Sequence, residues 1–411
     1  MGAGIFLTVP NVAKGSFSAW GVLAIWLAGG LISLCGALGY AELASAYPKE
    51  GGDYVYMTRA YGPWAGFMFG WTQLTVVRPG DIVVMAFAFA TYARALYDPF
   101  TDTAFPYGQQ IYSCAVVIGL TVINILGVRK GKWTQNLLTI AKVLGLIAVI
   151  ALGIAATKGA GRAVIFDPLP VSVAMILVLF TYGGWNEMAY VAAEVRNPKR
   201  NIVRALVAGT AAVTVLYLLA NAAFLYALGY DGMAVSEAVA VDTVSTVFPD
   251  IGARLIAVLI CISALGAVNG LIFTGARISY AVGADHRAFR FLGRWHPRLG
   301  TPVRSLLLQG AIAVVLIVAL GSLVEAVLYT AAAVYAFFLA TSVAVIVLRY
   351  KEPDVERPYR VTGYPFTTIL FCGVCAFLIY SAVLYKPEIA LVACGILLLG
   401  LPIYWLTARP R

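Results

Sequence analysis

Phe180-Thr181-Tyr182-Gly183-Gly184-Trp185-Asn186 lies in the middle of an apolar run, Val171–Ala193, that is otherwise long enough to cross a bilayer. Glycine loses the most backbone freedom in a helix, so a pair at mid-run marks either a break or a point of close helix packing. A second glycine signal, Gly2-Ala3-Gly4, opens a shorter apolar run, Gly2–Ala13, about half the length a span needs. The two signals are roughly 180 residues apart, with four full spans between them. The chain thus repeats after five helices, and an odd number of helices turns the second repeat upside down. Matched interruptions in an inverted repeat point to a transporter binding site at mid-membrane. Unwound backbone is tolerated at that depth only beside a cavity or within protein. One glycine pair alone reads as packing; two at matched positions read as breaks.

The surrounding sequence fits that reading. Of 411 residues, 61% are hydrophobic and only 12% charged, too few polar groups to cover a water-exposed globule. Beyond Gly2–Ala13, runs of spanning length lie near Trp20–Ala46, Gly62–Tyr97, Ile111–Gly127, Thr134–Ala156, Val171–Ala193 and Ile202–Leu228. They continue at Ile251–Val282, Ser305–Gly321, Leu323–Leu348, Phe366–Leu384 and Ile389–Leu406. No linker or low-complexity tract divides the chain, so a single membrane domain is expected. It comprises a first repeat over residues 1–156, a second over 171–348 and two peripheral helices over 366–411. A short surface helix is expected in the outside loop Gly229–Asp250.

The net charge of +10 is distributed by loop. Arg129, Lys130, Lys132, Arg196, Lys199, Arg200, Arg204, Arg287, Arg290, Arg294, Arg298, Arg349, Lys351, Arg357, Arg360, Arg409 and Arg411 fall in one alternating set. Asp98, Asp102, Asp231, Asp242 and Asp250 fall in the other. Basic loops stay in the cytoplasm, which puts the C-terminus there, expected in a plasma (inner) membrane, and removes nucleic acid as a partner. No cleavable signal peptide is visible. The six cysteines lie inside predicted helices and read as small packing residues, so neither a disulfide framework nor a metal site is expected. The two histidines, His286 and His296, share one loop; no catalytic cluster forms, and neither an enzyme nor a cofactor is expected.

Several segments resemble the amino acid–polyamine–organocation superfamily, within it the L-type amino acid transporters and their bacterial permease relatives. Gly2-Ala3-Gly4-Ile5-Phe6 looks like the glycine signature of the family's first helix, and Tyr47-Pro48-Lys49-Glu50-Gly51-Gly52 resembles its first cytoplasmic loop. Arg78-Pro79 is similar to a dipeptide of the third helix. Phe180–Asn186 resembles the sixth-helix signature, followed by Glu194-Val195-Arg196-Asn197-Pro198. The resemblance implies an all-α, LeuT-like fold of twelve helices: a 5+5 inverted repeat plus two peripheral helices. Family members carry a half-helix before the glycine motif; this chain starts at the motif, so the first helix is expected to lack its cytoplasmic half.

A free amino acid brings a carboxylate and an ammonium that must both be re-solvated. By resemblance, the carboxylate sits on backbone N–H groups of Ala3, Gly4 and Ile5, where a half-helix offers unpaired donors and the positive dipole end. Gly2 and Gly4 let the backbone approach closely. The ammonium falls to the carbonyls of Phe180, Thr181 and Gly183, with Phe180 covering the substrate and Asn186 near its side chain. Lys142 sits mid-span in Leu138-Thr139-Ile140-Ala141-Lys142-Val143-Leu144. A charge there costs roughly 2.5–3.5 kcal/mol on insertion scales, so snorkelling is a poor account of it. In the family a lysine here stands in for a sodium ion between the first and eighth helices, with Ser263 as its partner in this chain. Arg78 and Asp81, three positions apart, are expected to pair.

These features lead to an expected secondary transporter of neutral L-amino acids, sodium-independent, by exchange or proton coupling. The alternatives are a basic amino acid or polyamine antiporter, and a homologue that binds amino acids without moving them. Animal L-type transporters join a heavy chain through a cysteine after the third helix; Asp98–Gln109 has none, so no disulfide-linked heavy chain is expected.

Overall fold

The computed structural model describes residues 4–48, 52–99, 107–127, 132–156, 165–187, 189, 195, 197–285 and 289–407, and every regular element within them is helical. The first half of the chain holds α1 (Gly4–Lys14), α2 (Ala19–Ala46), α3 (Asp53–Tyr61), α4 (Pro63–Thr72), a π turn (Gln73–Val77), α5 (Arg78–Leu96), α6 (Gly108–Ile125) and α7 (Lys132–Ala155). The second holds α8 (Val171–Tyr182), α9 (Pro198–Val235), α10 (Val239–Ser245), α11 (Ile251–Asp285), α12 (Val303–Ala319) and α13 (Leu323–Lys351). Two further helices, α14 (Phe366–Tyr385) and α15 (Pro387–Thr407), close the chain. Among the described residues, eight helical spans are long and apolar enough to cross a membrane, from Ala19–Ala46 to Pro387–Leu406. The half-length α1 and α8 interrupt that series where the glycines fall.

Helix ends carry local causes. Ser18 caps α2 by accepting the Gly21 N–H at 3.1 Å, and Ser322 caps α13 by accepting that of Glu325 at 3.3 Å. The expected single span Gly62–Tyr97 is continuous but irregular, because a π turn at Gln73–Val77 joins α4 to α5. Such turns insert a residue and re-aim the side chains around them. The helix expected in the loop after α9 is α10, but it does not lie on the surface: its Val239, Ala240, Thr243 and Val244 are buried.

Packing follows the five-helix period. α1 lies on α8, α2 on α9, α5 on α11 and α6 on α12, so helices at equivalent places in the two halves meet one another. These contacts bring α1 and α8 together.

A charged network ties α2 to α13 at the end that carries the basic loops. Glu42, 1% exposed, accepts from Arg349 Nε at 2.8 Å, Arg349 Nη2 at 2.5 Å and the Val361 N–H at 2.7 Å. Arg357 Nε stands 3.6 Å from the same carboxylate. Beside it, Glu352 accepts from Arg59 Nη2 at 2.9 Å and the Tyr47 hydroxyl at 3.0 Å.

Candidate functional site

The break in α8 comes from its glycines. After Tyr182 the chain leaves the helix at Gly183 (φ −49°, ψ 162°), and Gly184 takes φ +97°, a conformation that L side chains rarely adopt. A Cβ on Gly183 would stand 2.8 Å from the Phe180 carbonyl oxygen. Trp185 anchors the chain beyond the break, meeting the Tyr40 ring edge-on at 5.0 Å and the Phe338 ring at 5.1 Å between centroids. Glycine opens the helix and tryptophan fixes where the chain goes next.

The start of α1 faces this break. A Cβ built on Gly4 would lie 3.4 Å from Thr181 Cγ2, so the two backbones approach closely here. The Thr8 and Thr181 hydroxyls are 2.8 Å apart, with the Gly4 carbonyl 3.0 Å from Thr8 and the Leu177 carbonyl 2.8 Å from Thr181. In general the opening turn of a helix offers N–H groups without intrahelical partners and the last turn offers carbonyls in the converse state. At the end of α8, the Phe180 carbonyl accepts the Gly183 N–H at 3.0 Å and the Thr181 carbonyl accepts the Tyr217 hydroxyl at 3.4 Å. Each oxygen keeps a second lone pair.

Between the two helix ends lies a cavity of about 470 Å³. Gly4, Phe180, Thr181, Gly183, Asn186 and Lys142 all line it. Ile5 and Ser263 instead line a small adjoining pocket of about 10 Å³, which Lys142 and Tyr217 also border. Lys142 therefore touches both spaces. Gly2 and Ala3 lie outside the described residues.

The opposite wall belongs to α5 and the π turn, and sequence reasoning placed none of it in the site. Gln73, Val77, Asp81 and Met85, four apart, form one stripe along the cavity, with Arg78 beside them. Arg78 Nη2 donates to Glu187 Oε1 at 3.0 Å, joining α5 to the chain just beyond the break in α8. This partner lies across the cavity, where the one-helix spacing of Arg78 and Asp81 gives no sign of it. Asp53, lower on the lining, accepts from the Tyr40 hydroxyl and, at 2.7 Å, from the Thr341 hydroxyl. The one legible signal was the pair of polar residues Gln73 and Asp81, eight positions apart in a mostly apolar run.

A cavity of this size suits a small solute. Donors at one helix start and acceptors at one helix end suit a solute with both charges.

A family profile described as amino acid permease matches residues 1–402. The chain belongs to that family. It is 30% identical to the b(0,+)-type amino acid transporter 1 of Mus musculus over 418 residues, which cover 99% of this chain and 84% of the relative. It is also 30% identical over 421 residues to the large neutral amino acids transporter small subunit 2 of Homo sapiens, covering 99% and 77% respectively. The permease is thus an integral, multi-pass membrane protein, and the glycine segments at residues 2–4 and 183–184 both fall inside the matched region.

Proposed function

We propose that this permease moves amino acids across the membrane by alternating access, neutral L-amino acids first among them, without sodium, by exchange or together with a proton. The observation that carries the reading is the cavity bounded by the start of α1 and the end of α8. The α-carboxylate sits on the N–H groups of Ala3, Gly4 and Ile5; the ammonium sits on the free lone pairs of the Phe180, Thr181 and Gly183 carbonyls. Phe180 covers the substrate and Asn186 lies toward its side chain. The relatives' names, which specify amino acid transport, support the solute class.

Lys142 takes the place of an ion. Lys142 lines the pocket shared with Ile5 on α1 and Ser263 on α11, between the first half of the chain and the second. The two five-helix halves, over 1–156 and 171–348, rock about this site while 366–411 stay peripheral. Basic loops and the C-terminus face the cytoplasm across the plasma (inner) membrane. The permease is not an enzyme and uses no cofactor. It works without a disulfide-linked heavy chain, since Asp98–Gln109 offers no cysteine; an unchanged band on non-reducing and reducing gels of the native membrane is expected.

Uptake of labelled leucine into proteoliposomes tests the reading. Uptake stimulated by internal amino acid or by a proton gradient, equal in sodium and in choline, is expected; a strict need for sodium would overturn the coupling, and no specific uptake or binding would overturn the function.

A further inference from the structure

A second cavity, of about 250 Å³, lies between the break in α8 and α9. Tyr182, Gly183 and Trp185 belong to one wall; Gly209, Thr210 and Tyr217 of α9 belong to the other. Among the described residues, Gly183 and Gly184 alone border both this space and the 470 Å³ cavity. The unwound glycines are therefore the partition between the two. Ala205 and Gly209 are exposed on α9, and a Cβ on Gly209 would meet nothing within 4 Å. Residues 200–235 of α9 form one of the membrane spans, so this opening faces lipid.

The lining is apolar and aromatic with one polar group to spare. No charged side chain borders it among the described residues. The Tyr182 and Tyr217 rings lie 5.2 Å apart between centroids, and both hydroxyls are engaged: Tyr182 donates to the Trp26 carbonyl at 3.0 Å, Tyr217 to that of Thr181 at 3.4 Å. Thr210 differs. It is 6% exposed, and its hydroxyl has no partner. Thr8, Thr181 and Thr214 each donate to the carbonyl four positions back, the usual refuge of a helical threonine. Thr210 does not take it. A buried hydroxyl in that state is costly until a partner arrives. A turn about χ1, between the two rotamers that a helical threonine uses, presents it to the cavity.

We propose that the cavity between α9 and the α8 break is a second binding site, which takes a small uncharged amphiphile from the lipid and thereby slows transport. The ligand's apolar body packs on the Tyr182, Trp185 and Tyr217 rings, and its single hydroxyl or carbonyl pairs with Thr210. A zwitterion is excluded, because no charge or matched pair of helix ends meets it here. The occupant leans on Gly183 and Gly184 from the side opposite the substrate, so it restrains the hinge without filling the substrate's place. The binding site stands on its own geometry; its effect on rate rests on the transport reading above.

The test uses the full chain in detergent with bromooctanol, whose bromine quenches tryptophan on contact and whose length suits the cavity. Saturable quenching that excess leucine leaves unchanged is expected in the wild type, and W185F is expected to lose it. T210V is expected to raise the half-saturating concentration about fivefold, the effect of one neutral hydrogen bond, while T210S stays close to the wild type. G209L, which fills the cavity, is expected to raise it by more than about tenfold. In proteoliposomes, octanol is expected to lower the maximal rate of leucine uptake with KM unchanged, and octane to do so far less. Quenching that never saturates, that leucine displaces, or that survives in W185F would overturn the site. Equal inhibition of wild type and G209L, or a raised KM, would overturn its link to transport. If T210V or G209L fails to fold, W185F and leucine displacement still decide. Saturable quenching in a protein that moves no leucine would remove the transport reading and leave the site standing.

Discussion

The Thr8 hydroxyl lies 2.8 Å from that of Thr181, a side-chain link between α1 and α8 directly behind the cavity they bound. Both residues are buried, so the pair sets the spacing between the helix start and the helix end that face a substrate. T181V keeps the shape and removes the hydroxyl. A net hydrogen bond contributes about 1 kcal/mol. The expected result is a KM for leucine raised about fivefold, read by proteoliposome uptake, with little change in the amount of folded protein.

Gly184 adopts φ +97° at the break. Open space surrounds the position of its missing Cβ, so strain comes from the backbone alone. Forcing an L residue into left-handed backbone costs about 1–2 kcal/mol. G184A is expected to lower the leucine transport rate roughly tenfold, the figure that 1.4 kcal/mol gives, in protein that still elutes as a single species.

Lys142 borders both the cavity and the small pocket with Ser263. K142A is expected to reduce exchange at least tenfold in sodium-free buffer, and added sodium is expected to restore little of it. Unchanged exchange in K142A would remove the lysine from the coupling machinery.

Glu42 is a buried carboxylate held by Arg349 and the Val361 N–H, with Arg357 close by. Removing one partner of a buried ion pair costs about 3–5 kcal/mol, because the other charge is left uncompensated. E42Q is therefore expected to lower the thermal midpoint in detergent clearly, with R349K, which keeps the charge, falling between the two.

Glu352 titrates in a direction that can be checked. Hydrogen bonds from Arg59 hold its carboxyl below the ordinary value of 4.5, with the Tyr47 hydroxyl and the Arg357 charge assisting and burial opposing. A carboxyl depressed by folding stabilises fully above its unfolded value and loses that contribution as pH falls through the folded one. Both partners are partly exposed, so the effect is about 0.5 kcal/mol. The gap in thermal midpoint between wild type and E352Q is expected at neutral pH and is expected to close as pH falls below 4.5.

Much of this was legible in the chain because its causes are local. Gly183-Gly184 writes the break into the sequence, since the backbone conformation it needs excludes nearly every other residue. Lys142 stood out because an ionised group amid apolar neighbours is costly, and it lines both the cavity and the small pocket. What could not be read depends on contacts between distant segments. Arg78 meets Glu187 across 109 positions, and a helical spacing rule offers only the nearer Asp81. The π turn at Gln73–Val77 has no compositional mark, yet it sets Gln73 in line with Asp81 on the cavity wall. The partners of Glu42 were equally out of reach, because nothing near it in sequence shows Arg349 or Arg357 closing over it.

Recognition of both ends of a free amino acid by helix termini is tested most directly by competition with blocked analogues. Uptake of labelled leucine would be measured against excess leucine, leucinamide and N-acetyl-leucine. Strong inhibition by leucine alone is expected, because each analogue lacks one of the charges that α1 and α8 receive. Inhibition by either analogue as strong as that by leucine would contradict the account.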